Sequence, residues 1–256
     1  MEQIQTPFGG TMKLYLAKGT ETVLICPGGG YNHLSPRESE PVAEVFRENG
    51  YHAVVLDYCL EKEALGTGPV RELAWAVRWL RSSQEWKGKT EKIWAAGFSA
   101  GGHLAASLGA LWNEDSIFTQ AEQSLNRPDG LILGYPVITM KEHCHVRSRE
   151  CLTGGREELI ELFSLEERDL SKMPPVFLWN TLEDEKVPAV NSLLFAQRLA
   201  HDGVSCEYHL YHHGLHGLSL ATEEVAVPEE KLFADAHVAG WMKLCLEWMR
   251  EVGHRS

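Results

Sequence analysis

Seven short, nearly unbroken apolar runs recur along this chain, separated by longer segments with helical period. They are MKLYLA (12–17), TVLICP (22–27), HAVVLDY (52–58), KIWAAGF (92–98), GLILGYP (130–136), VFLWNT (176–181) and CEYHLY (206–211). Runs of this length and composition read as strands covered on both faces. Between them, EPVAEVFREN (40–49), PVRELAWAVRWLRSS (69–83), GGHLAASLGALW (101–112), AVNSLLFAQRLAHDG (189–203) and LFADAHVAGWMKLCLEWMREV (232–252) read as amphipathic helices. Pro41 stands in the first turn of the first helix, Gly50 follows its end, and Gly203 stops the fourth. Repeated β-then-α alternation predicts an α/β fold, a mostly parallel sheet with helices on both faces. The less regular stretches 113–127 and 141–171 are expected as loops or a small cap within a single domain spanning 1–256.

A net charge of −12 argues against nucleic acid or an anionic membrane as the main partner and suits small neutral or cationic molecules. The start, MEQIQTPFGG, has no basic segment followed by an apolar core, and no apolar run approaches the ~20 residues of a membrane span. Cys26, Cys59, Cys144, Cys151, Cys206 and Cys245 form no CxxC pair, so buried, reduced thiols in a cytoplasmic protein are expected. HCHVRSREC (143–151) matches no zinc-ligand spacing, so no metal is expected there.

Within AAGFSAGGHLAAS (95–107), GFSAG fits G-x-S-x-G between an expected strand and an expected helix. A serine raised above the edge of a sheet needs a very tight turn. Gly97 and Gly101 leave room for it, and the helix behind Ser99 points free N–H groups at the reaction centre. Earlier, ICPGGGY (25–31) ends a strand in three glycines. Bare backbone of this kind lets amides approach a ligand oxygen. The amides of Gly29, Gly30 and Ala100 are the candidate oxyanion donors. Read as a phosphate loop, ICPGGGY lacks the G-K-[ST] ending of a P-loop and the G-x-G-x-x-G spacing of a dinucleotide site.

A serine nucleophile needs a base. YHLYHHGLHGLSL (208–220) holds four histidines. His209 lies inside a strand, and His212 and His213 stand at its end. His216, between Gly214 and Gly217, projects best from a loop over the sheet edge. His103, in the helix after Ser99, is expected to pack. The orienting acid should follow a strand between nucleophile and base. FLWNTLEDEKVP (177–188) offers Glu183, Asp184 and Glu185, and spacing alone does not choose among them.

PGGGY, GFSAGGH, the LEDEKVP loop and GLHG together resemble, in order and context, the α/β-hydrolases of the acetyl-esterase group called xylan esterase-like or BD-FAE type. The resemblance covers nearly the whole chain and implies the α/β-hydrolase fold. It implies that the acid is Asp184, followed by Val187 and Pro188, with Ser99 as nucleophile and His216 as base. It also implies hydrolysis of short acyl esters, acetyl esters of sugars or oligosaccharides foremost, through an acyl-enzyme and without a cofactor. The expected partner is a small-molecule ester, and a homo-oligomer is compatible with this pattern. Tyr31, Tyr135 and Pro136, beside strand ends, are candidate substrate-pocket walls. Two positions depart from the family pattern: Asn180 where a histidine is common, and Cys59 where Tyr58 would be followed by arginine. A prolyl oligopeptidase-type serine peptidase and a non-catalytic scaffold of the same fold are the competing readings.

Overall fold

The computed structural model of the protein describes residues 2–60 and 65–255. In chain order the elements are β1 (Glu2–Gln5), β2 (Thr11–Tyr15), β3 (Glu21–Cys26), α1 (Glu40–Glu48), β4 (His52–Asp57), α2 (Gly68–Ser82), β5 (Lys92–Phe98), α3 (Ala100–Leu111), α4 (Gln120–Asn126), β6 (Gly130–Gly134), α5 (Val146–Thr153), α6 (Glu157–Phe163), β7 (Val176–Thr181), α7 (Val190–His201), β8 (Cys206–Tyr211) and α8 (Trp241–Arg255). The strands form one sheet in the order β1-β2-β4-β3-β5-β6-β7-β8. β2 is antiparallel to both its neighbours, and the pairs from β4 to β8 are parallel.

The apolar runs explain this architecture directly. Along β3, Val23 and Ile25 face one layer and Leu24 and Cys26 the other; along β4, Ala53 and Val55 oppose Val54 and Leu56. A strand with both faces apolar must be covered twice. One layer holds α1, through Val42 and Phe46, and α8, through Trp241, Cys245 and Trp248. The other holds α2, α3 and α7, through residues such as Leu73, Val77, Leu104 and Phe195. Gly29, Ser99, Asp184 and His216 all follow the ends of parallel strands, so the fold collects them at one edge of the sheet.

The seven expected strands occur with ends within two residues of the sequence reading. Other elements differ. β1 was not expected; it pairs with β2 through the turn at 6–10, held by Thr6 N–H to the Gly10 carbonyl at 2.9 Å. The last helix begins at Trp241, not at residue 232. Asp235 is the reason: its Oδ1 accepts the N–H groups of His237 and Val238 at 2.9 and 3.0 Å, and the backbone turns there. The stretch 113–127 carries α4, started by the Thr119–Glu122 capping box and tied to α2 by Arg78 Nη1 donating to Asn126 at 2.5 Å. The stretch 141–171 carries α5 and α6. Cys26 and Cys245 are buried, the other four cysteines are half-buried, and none of the six is in a disulfide. Among the described residues no helix is long and apolar enough to cross a membrane.

Candidate active site

Ser99 joins β5 to α3 with φ 53° and ψ −119°, a backbone conformation that a side-chain-bearing residue rarely adopts. The surroundings hold it there. Its N–H donates to the Gly134 carbonyl at 3.0 Å, and its carbonyl accepts from Val137 and His103 at 3.1 and 3.0 Å. A Cβ on Gly97 would run into the Gly101 carbonyl, and one on Gly101 into the Cys26 carbonyl. Both glycines are therefore required by the close passage of β3, β5 and α3.

His216 Nε2 lies 2.8 Å from Ser99 Oγ, and its Nδ1 lies 2.6 Å from Asp184 Oδ2. A carboxylate oxygen accepts, so Nδ1 carries the proton and Nε2 is free to accept from the serine hydroxyl. Asp184 is buried, and its Oδ1 accepts the N–H groups of Lys186 and Val187 at 3.0 and 2.9 Å. The other acidic residues of this loop point elsewhere. Glu183 accepts from Gly214 N–H at 3.2 Å, and Glu185 is exposed. The other histidines are also engaged. His213 pairs with Asp235 at 2.5 Å and with His212 at 2.7 Å, and His209 contacts Glu207 at 2.9 Å. His103 is buried between the Tyr31 hydroxyl and the Phe163 carbonyl, and burial lowers its pKa to about 4.

Gly29 and Gly30 have φ 129° and 64°. Their N–H groups and that of Ala100 have no acceptor among the described residues, while Gly28 N–H is bound to Glu38 Oε2 at 2.7 Å. The loop thus leaves two amides available beside the first turn of α3.

Sequence reasoning missed the pair behind this loop. Glu38 is buried, and its other oxygen accepts the Tyr135 hydroxyl at 2.6 Å. Tyr135 in turn accepts Ser219 N–H at 2.9 Å and meets the His216 ring edge-on at 5.1 Å. Arg37 donates to the carbonyls of Val225 at 2.5 Å and Gly217 at 2.7 Å. Arg37 and Glu38 therefore tie the glycine loop to the His216 loop. The signal was a charged pair in SPRESEP (35–41), directly after the glycines.

A cavity of about 350 Å³ opens on Ser99 and His216. Its walls include Asn32, His33, Arg37, His145, Arg147, Lys186 and Glu230, and Leu232 is its one aliphatic side chain. The expected wall residues are elsewhere. Tyr31, Tyr135 and Pro136 are buried and do not line this cavity, with both tyrosine hydroxyls bonded inside the protein. Burial pushes both phenol pKa values well above their usual range, that of Tyr135 further through the Glu38 carboxylate. His145 came from the stretch considered for metal; burial, then the facing His216, lower its pKa. Asn180 turns to the Tyr208 hydroxyl at 2.7 Å, and the Cys59 N–H donates to the buried Glu72 at 2.6 Å. A second cavity, about 360 Å³, lies at the opposite strand ends beside Pro175 and Cys206, whose thiol burial pushes up to about 12.

The BD-FAE family model matches residues 12–137. The acetyl ester-xyloside bifunctional hydrolase of Caldicellulosiruptor lactoaceticus is 35% identical and superposes with a TM-score of 0.82 over 96% of this chain and 89% of its own. Endo-1,4-beta-xylanase B of Butyrivibrio fibrisolvens is 35% identical over 212 residues, 80% of this chain. The acetylxylan esterase of Xylanibacter ruminicola is 29% identical over 206 residues, 77% of this chain. The match spans only 33% and 40% of the lengths of these two curated relatives. With a relative this similar along nearly its whole length, and with the strand order and turn just described, the chain belongs to the BD-FAE family of α/β-hydrolases.

Proposed function

We propose that the protein is a serine carboxylesterase that removes short acyl groups, acetyl first, from small hydrophilic alcohols such as sugars and oligosaccharides. The observation that carries this reading is the continuous pair of hydrogen bonds from Ser99 through His216 to Asp184. His216 Nε2 takes the hydroxyl proton as Ser99 Oγ bonds to the acyl carbon. The carbonyl oxygen becomes an oxyanion beside the amides of Gly29, Gly30 and Ala100, where each donor contributes about 3–4 kcal/mol. Collapse breaks the ester C–O bond, and His216 returns the proton to the leaving alcohol. Water, deprotonated by the same nitrogen, then attacks the acyl-enzyme and releases the acid. Asp184 accepts from Nδ1 and stabilises the imidazolium that forms between steps.

The size of the cavity and the residue types around it support the substrate class. A long acyl chain gains roughly 25 cal/mol for each Å² of apolar surface it buries, and among the described residues Leu232 is the one aliphatic side chain in a lining otherwise built of glycine, polar and charged residues, in a cavity of about 350 Å³. The acetylxylan esterase and the acetyl ester-xyloside hydrolase among the relatives favour acetylated carbohydrate. Six cysteines outside any disulfide suit a reducing compartment, so we place the enzyme in the cytoplasm.

The test is hydrolysis of p-nitrophenyl acetate, butyrate and octanoate by the native chain, Ser99→Ala and Asp184→Asn. Rates should fall with acyl length. Ser99→Ala should lose at least ~10⁴-fold, and Asp184→Asn about 10³–10⁴-fold through loss of the tautomer. Equal rates for the native chain and Ser99→Ala, or a preference for octanoate, would overturn the reading.

A further inference from the structure

We propose that the alcohol half of the substrate carries an anionic group, held at the mouth of the cavity by Arg147 and Lys186. This rests on the esterase reading above and narrows its substrate class to acidic alcohols, an acetylated sugar acid or sugar phosphate being the carbohydrate forms.

Whole-chain charge points the other way, since the protein carries −12. Exposed charges more than ~10 Å apart are largely screened at 0.1 M salt, so a bound ligand responds mainly to its immediate surroundings. Those surroundings are cationic. Arg147 and Lys186 line the cavity, are exposed, and make no ion pair among the described residues. Arg37 adds a third positive charge, already anchored on two carbonyls. On the acidic side, Glu38 is buried and bonded to Gly28 and Tyr135, and Asp184 is bonded to His216. Glu230 is the one exposed carboxylate of the lining.

Position assigns the charge to the leaving alcohol. His216 protonates that oxygen, so the alcohol lies on its side of Ser99. Lys186 borders this cavity and also a smaller one, about 190 Å³, beyond His216. Arg147 lines the same cavity beside the glycine loop, its Cγ 3.7 Å and the His145 ring 3.4 Å from where a Cβ on Gly30 would lie. An anionic substituent on the alcohol therefore meets two cations in the larger cavity, with Glu230 on that lining and Glu185 on the smaller one as the exposed like charges among the described residues. A free acyl product carries its charge at the other end of the reacting bond.

The experiment compares kcat/KM for 3-acetoxybenzoate, 3-acetoxyphenyl phosphate and the neutral 3-acetoxybenzamide. The enzymes are the native chain, Arg147→Gln, Lys186→Gln and the double variant. An exposed ion pair is worth up to about 5-fold in binding. The anion-to-neutral ratio should fall about 3–5-fold in each single variant and more in the double one. In the native chain it should shrink as NaCl rises to 0.5 M. Arg147→Lys should retain most of the ratio. A larger response with carboxylate or with phosphate identifies which anion is read. If all three esters are cleaved and neither anion's ratio changes in the double variant, the inference is overturned while the esterase reading stands. If no ester is cleaved faster than by Ser99→Ala, the esterase reading fails, and this inference with it.

Discussion

Glu38 illustrates how a single buried carboxylate can shape the Ser99–His216–Asp184 arrangement without touching it. One oxygen fixes Gly28 N–H and the other fixes the Tyr135 hydroxyl, whose ring supports His216. In Glu38→Gln one of those two acceptors becomes an NH₂ group, so one buried donor loses its partner, a loss of ~1–3 kcal/mol. We expect kcat on p-nitrophenyl acetate to fall about 10–100-fold with a smaller change in KM, measured beside a Tm to confirm folding. An unchanged kcat would remove Glu38 from the positioning of the site. Ser99 and His216, which the fold brings within hydrogen-bond distance, could be singled out in the sequence because each stands in a local signature: Ser99 between glycines after a strand, His216 between Gly214 and Gly217. Among the three acids of the loop only the family pattern singled out Asp184, since its partner lies 32 residues away. The cavity walls carried no such signature. They come from 32–38, 145–147, 186 and 230, brought together only by the fold. Tyr31 and Tyr135 adjoin the right strand ends, but their left-handed backbones, φ 63° and 36°, accompany rings turned into the core.

The unit β5–Ser99–α3 is the element on which the rest depends, and it explains why this part of the fold could be read so directly. Gly97 and Gly101 are fixed by backbone on the far side, not by replaceable side chains. A Cβ on Gly101 would meet the carbonyl oxygens of both Cys26 and Pro27 at the end of β3. Relief would require β3 and α3 to separate, moving the glycine loop from Ser99. Gly101→Ala should therefore lose about 3 kcal/mol or more of stability in urea titrations and nearly all esterase activity. Gly155→Ala meets open space, so it reports only the strain of its φ of 74° and serves as the comparison. The strands were equally readable because burial on both faces forces continuous apolar runs. The segment before α8 was not. Its apolar residues continue the helical period through 232–240, but Asp235 captures two backbone amides and Val227 pairs with Leu232 instead. α4 escaped notice although its T-x-x-E start was present, because seven residues show too little periodicity.

The molecule as a whole should be acid-sensitive well above the pH at which carboxylates titrate. Burial lowers the pKa of His103 to about 4 from the ordinary 6.5 and lowers that of His52 as well. Both are held neutral by the fold: His103 bridges Tyr31 and Phe163, and His52 Nδ1 accepts Ala17 N–H at 3.0 Å. At His103 the unfolded chain binds a proton once the pH drops below about 6.5, whereas the folded chain does not until about 4. Stability is therefore complete above that upper value and falls as pH falls toward the lower one. For His103 alone the loss approaches roughly 3 kcal/mol by pH 4, a substantial part of the 5–15 kcal/mol typical of a domain. His103 links α3, the glycine loop through Tyr31 and the end of α6 through Phe163, so its protonation acts on the frame around Ser99. Urea midpoints at pH 7, 6, 5 and 4.5 should decline more steeply for the native chain than for His103→Gln, whose amide can still accept from Tyr31 and donate to Phe163 without taking up a proton. Parallel curves would show that the acid sensitivity arises from other groups and that His103 is not its main source.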